Sequence, residues 1–106
     1  MENEQRYERV GEALDAIEAE LKRLGRWSAQ APAPERFENM GAFGSRTMAF
    51  EQWLQWVLLP KAREIIEKRA DFPTSSSVSV YAVRELDGDP EADGLLTALS
   101  NFDALF

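Results

Sequence analysis

Acids alternate with other residues in "DGDPEADG", at Asp87, Asp89, Glu91 and Asp93. Alternate carboxylates are the chemistry of a calcium loop, in which a glycine stands at the sixth position and a bidentate glutamate at the twelfth. Counted from Asp87, those positions hold Ala92 and Ala98. The acids therefore read as a turn and a helix start, where negative charge suits the positive end of the macrodipole. No metal site is expected. The serines at 75, 76, 77 and 79 offer hydroxyls. A serine nucleophile needs a neighbouring base, however, and the chain has neither a histidine nor a nucleophile-elbow or Ser-x-x-Lys pattern. A polar turn is expected there. Gly41 and Gly44 lack the context of a phosphate loop. Acid catalysis by paired carboxylates requires an enclosed site that separates their pKa values, which spacing alone does not supply. No catalytic residue and no cofactor is assigned, and a non-enzymatic role is expected.

Aromatic groups could stack bases, with Trp56 and Tyr81 as the candidates. The charge balance opposes this. With 12 lysines and arginines against 19 acids, the formal net charge is -7, which repels a phosphate backbone unless the cations share one face. Lys22, Arg23 and Arg26 gather at a helix end, the ordinary complement to the negative end of a macrodipole. Direct nucleic-acid binding is disfavoured. Cysteine is absent as well as histidine, which removes thiol nucleophiles, disulfides and Cys/His zinc sites. The first residues are charged and amphipathic, and no run approaches the roughly 20 apolar residues of a membrane span. A soluble cytoplasmic protein, without membrane attachment, is expected.

These residues must be positioned by helices. The length of 106 residues and a hydrophobic share of 44% suit one domain, 1–106, with its own core. Tyr7, Val10, Leu14, Ile17, Leu21 and Leu24 recur at helical spacing over residues 4–24, and Gly25 suits a left-handed stop. Residues 28–46 hold two prolines and two glycines and read as a long surface connection. It should pack down through Phe37, Met40 and Phe43, begin at an anchor on Trp27, and contain a short helical turn.

A second helix is expected from a cap at Ser45 or Thr47 to about Arg69. Steps of about 100° put Phe50, Trp53, Leu54, Val57 and Leu58 on one face, and Met48, Trp56, Leu59 and Ile66 on the other. Pro60 cannot donate to the carbonyl of Trp56 and its ring crowds that carbonyl, so a kink or break is expected within residues 56–60. The spacing of Val80, Val83 and Leu86 predicts a short helix over 78–86, because a lone strand would leave its backbone unpaired. Asp89 followed by Pro90 starts a last helix with Leu95, Leu96, Leu99, Phe102 and Leu105 or Phe106 as its apolar stripe. The expected fold is an all-α bundle of three to four helices around a Pro-kinked central helix.

That central helix carries more apolar faces than a small bundle can bury, which suggests a patch left for another surface. The candidate binding surface is Gln52, Gln55, Trp56 and Leu59, joined by Tyr81. A protein partner or self-association would cover it. The competing expectation is a small-ligand or enzymatic pocket near the Pro60 kink.

The run "TMAFEQWLQWVLLPKAREII", with "APAPERF" before it, "DFP" and Tyr81 after it and "FDALF" at the end, resembles the YqcC-like family of uncharacterised bacterial proteins. The likeness covers nearly the whole chain and is most specific at Trp53-Leu54-Gln55-Trp56 followed by Pro60. It implies a small all-α bundle. It also implies an association, by name and gene neighbourhood, with tRNA pseudouridine synthase C, although the chain is too short and too helical to be such a synthase itself. Two departures from the family pattern stand out: Val80, Ala82 and Val83 flank Tyr81 where the pattern has a proline and an acid, and Arg46 precedes Thr47 where an acid is common.

Overall fold

The computed structural model describes residues 2–106, and among these the regular elements are all helical. Helix α1, Glu2–Arg23, buries Val10, Leu14, Ile17 and Leu21 completely. It ends in a Schellman motif: Gly25 is left-handed at φ 70°, its N–H bonds Lys22 O, and the N–H of Arg26 reaches Leu21 O at 2.8 Å. Lys22 pairs with Glu18 at 2.8 Å, and its ammonium also sits 5.1 Å from the ring centre of Trp27, which is half-buried against the core.

The connection packs down as expected, with two short 3-10 turns, Pro34–Phe37 and Ala42–Gly44. Phe37, Met40 and Phe43 are all partly buried. Helix α2 then runs through residues 50–68 in three stretches: α-helical Phe50–Trp53, π-helical Leu54–Leu58 and α-helical Leu59–Lys68. Neither Ser45 nor Thr47 caps it. The N-cap is Ala49, whose N–H is taken by the Gln52 side chain at 2.9 Å, whereas the Thr47 hydroxyl donates to Arg36 O and ties the connection to the helix entrance. The helix stops on a left-handed Arg69, with Ala70 N–H bonding Ile65 O.

Helix α3, Val78–Glu85, falls in the segment expected to be a short helix, but its buried face is Val78, Ala82 and then Leu86. Val80 and Val83 point outward at 65% and 57% exposure. After a 3-10 turn, Pro90–Ala92, capped by Asp89, helix α4 covers Asp93–Asp103. Leu95, Leu99 and Phe102 sink its apolar stripe into the core. Helix α1 lies against α4 and against the second half of α2, while α3 packs on α4. The shared core is Leu14, Ile17 and Leu21 of α1 with Leu54, Leu59, Leu95 and Leu99. No described helix is long and apolar enough to cross a membrane.

Candidate functional site

Pro60 sets the geometry of the middle of α2. In an α-helix its ring would press on the carbonyl of Trp56, four residues back, and the position supplies no donor. The chain answers with a π turn, in which Leu59 N–H reaches back five residues to Leu54 O. The wider turn makes room without ending the helix, and Leu58 and Leu59 keep right-handed helical angles. It also changes the angular step, so positions beyond Leu54 no longer fall where a uniform 100° places them. Leu59 swings into the core at 1% exposure, while Val57 and Leu58 are partly buried, Leu58 against the core.

The same stretch buries Gln55, at 4% exposure. A buried amide must find partners. Gln55 finds both on one residue: Ser28 N–H donates to its Oε1 at 2.8 Å and its Nε2 donates to Ser28 O at 2.7 Å. The side chain therefore fastens the start of the connection to the π turn and reproduces, with a side-chain amide, the pairing of a sheet ladder.

On the opposite side of α2 lies an apolar groove of about 390 Å³. Helix α2 supplies Trp53, Val57, Leu58, Lys61 and Ile65, the connection supplies Met40 and Phe43, and the α4 end supplies Phe102 and Phe106. Residues 72–76 close it with Phe72 and two serines. The connection wall is built from unusual backbone. Gly41, Phe43 and Gly44 all have positive φ, at 75°, 55° and 72°, and left-handed angles are costly for a side chain as bulky as phenylalanine. Aromatic packing holds Phe43 there, stacked on Tyr81 with centroids 4.5 Å apart and edge-on to Trp53 at 5.2 Å. Gly44 is required for space as well as angle, since a Cβ would lie 2.9 Å from Met48 Cγ and 3.0 Å from Trp53 Cβ.

Several carboxylates, among them Asp89, Glu18 and Asp103, are engaged in structure. Arg26 binds Asp89 and, at 3.5 Å, Glu51, joining the end of α1 to the start of α2 and the turn before α4. The guanidinium hydrogen bond holds the Asp89 carboxyl below its usual range and raises Arg26 in turn. Glu18 is likewise lowered by hydrogen bonds from Lys22 and Arg63. Asp103 accepts from Ser76, Ser79 and the Val78 backbone, so the serine run is a capped helix start. The Glu85 carboxylate, accepting the Tyr81 phenol at 2.6 Å, pushes that phenol above its ordinary value.

The five residues expected to share one surface are separated. Gln55 and Leu59 are buried and leave it, for the reasons just given. Gln52 and Trp56 are half-exposed on α2, one helical turn apart, and the Trp56 indole N–H is buried without an acceptor among the described residues. Tyr81 belongs to the ring cluster of Phe43 and Phe50. Sequence reasoning took from the proline a competing expectation of a pocket near the kink, but it did not name this lining, because a uniform 100° step put Trp53, Val57 and Leu58 on one face with Phe50 and Leu54.

A family model described as tRNA pseudouridine synthase C matches residues 9–105. The uncharacterised protein YqcC of Escherichia coli (strain K12) is 33% identical over 101 residues, which cover 94% of this chain and 93% of that protein. The solution NMR structure of protein YqcC from E. coli superposes with a TM-score of 0.84 at 32% identity, covering 94% of this chain and 86% of the other. A tRNA pseudouridine synthase C of Pectobacterium carotovorum subsp. carotovorum is 33% identical over 70 residues, 66% of this chain but 19% of the synthase.

Proposed function

The chain belongs to the YqcC family, whose model bears the description tRNA pseudouridine synthase C, and on that premise we propose that it is a non-catalytic helical accessory module that binds a protein partner. The observation that carries this reading is the Pectobacterium synthase, in which the stretch similar to this chain makes up 19% of a much longer polypeptide. Covalent linkage gives two modules a high effective concentration, whereas a separate module needs an interface to achieve the same association. A pseudouridine synthase of that type is the partner to test first. Gln52 and Trp56, half-buried on α2, are the proposed contact residues, and the engagement of Asp89 and Asp103 in structural contacts fits a binding role.

Sedimentation of the purified chain, alone at several concentrations and mixed with a tRNA pseudouridine synthase C, tests the reading. A stable mixed complex that Trp56→Ala weakens, with circular dichroism unchanged, is the expected outcome. Sedimentation of two independent species at tens of micromolar would sink it, and concentration-dependent growth of the chain alone would assign the surface to self-association.

A second reading is favoured by the groove. Its volume of about 390 Å³ falls within the roughly 300–1,000 Å³ of small-molecule sites, and it borders the π turn beside Pro60. The groove would then hold a small ligand.

A further inference from the structure

We propose that the groove takes a small amphipathic carboxylate, with an alkyl or aryl body among Phe43, Trp53, Phe72 and Phe106 and its anionic end on the ammonium of Lys61. This inference rests on the ligand-site reading given above and adds the chemistry of the ligand.

Lys61 is the single charged side chain on the groove wall. Its field helps to lower the carboxyl of Glu64, three residues on, but the two are not joined by an ion pair. Lys68, two turns further along α2, pairs with Glu64 at 2.7 Å, whereas Lys61 makes no ion pair among the described residues. The nearby carboxylate of Asp103 is already committed, since its two oxygens take hydrogen bonds from Ser76, Val78 and both donors of Ser79, which fills the lone pairs of a carboxylate. A lysine at the lip of an apolar groove lays its methylene stem along the wall and holds its charge at the water boundary. An anion bound there keeps part of its hydration while its tail leaves water. The Ser75 hydroxyl, also on the rim, can donate to the second carboxylate oxygen.

A neutral amphiphile would gain the apolar contacts alone, and a cationic one would meet Lys61. The order of affinity should therefore be carboxylate, then alcohol, then ammonium. An exposed ion pair contributes up to about 1 kcal/mol, so the first step should be about three- to five-fold.

The test is titration of the intact chain with decanoate, decanol and decyltrimethylammonium below their micellar concentrations, followed by amide and indole NMR shifts. Decanoate should move Phe43, Trp53 and Phe106 and bind several-fold more tightly than decanol. Lys61→Met, at an exposed position, should erase that preference and leave decanol binding unchanged. Equal binding of decanoate and decanol, unaffected by Lys61→Met, overturns the carboxylate inference while the groove stands as a site. If no probe shifts the groove residues, the ligand-site reading falls with it.

Discussion

Asp103, the last residue of α4, accepts both the backbone N–H and the hydroxyl of Ser79, at 2.8 and 2.6 Å. A helix normally finds its N-terminal acceptor at the N-cap residue itself. Here Ser77 occupies that place and makes no capping bond, and the carboxylate arrives from the far end of another helix. The contact locks α3 onto α4 and fixes where the polar segment before it enters the bundle.

Replacement of Asp103 by alanine should therefore cost about 1–2 kcal/mol, the usual effect of a lost cap. Urea unfolding measures the loss, and hydrogen exchange locates it. The amides of Val78 and Ser79 should open first, and uniform acceleration over all helices would contradict a capping role.

Gln55→Leu keeps the volume of the side chain but strands the N–H and C=O of Ser28. Two unpaired groups on a partly buried residue should destabilise the fold by about 2–3 kcal/mol. Equilibrium denaturation checks the magnitude. Rapid exchange of the Ser28 amide in a still-folded variant would show that the connection has come loose.

Alanine at position 44 must adopt φ +72° and place its Cβ within 3.0 Å of Trp53, so the loss should be about 2–4 kcal/mol. Alanine at position 25 faces a similar φ of +70° with no atom within 4 Å, and about 1 kcal/mol is expected from the backbone alone. Thermal melts of the two variants separate steric crowding from conformational strain. Equal losses would show that the aromatic wall yields.

Acid should weaken the Arg26 clamp. The folded Asp89 and Glu18 carboxyls lie below their ordinary values because of hydrogen bonds from Arg26, and from Lys22 and Arg63. Their contribution is complete above the unfolded pKa and disappears as pH falls through the folded one. Melting temperature should therefore drop below the ordinary carboxylate range, more steeply in the wild type than in Asp89→Asn. Both side chains are partly solvated, so the difference is modest. Parallel curves would show that the pair contributes nothing to the pH dependence.

The residues of α1 and α4 announced their helices and their buried faces, because Val10, Leu14, Ile17 and Leu21, or Leu95, Leu99 and Phe102, recur at a period set by hydrogen bonds between near neighbours in sequence. Gly25 as a stop was legible for the same reason. The short helix at Val78–Glu85 was legible as a helix from the spacing of Val80, Val83 and Leu86, but of these only Leu86 is buried, beside Val78 and Ala82. On α2 the proline was correctly read as a disturbance, but it did not show that the π turn absorbing it would carry Leu59 into the core and leave Val57 and Leu58 on the groove wall. Gln55 and Asp103 look in the sequence like any surface amide and acid. Only the arrival of Ser28 and of α3 beside them decided otherwise. Local spacing dictates that a helix forms, since its bonds close within a few residues; which face it hides, and which polar group finds a partner, depends on atoms brought from distant parts of the chain.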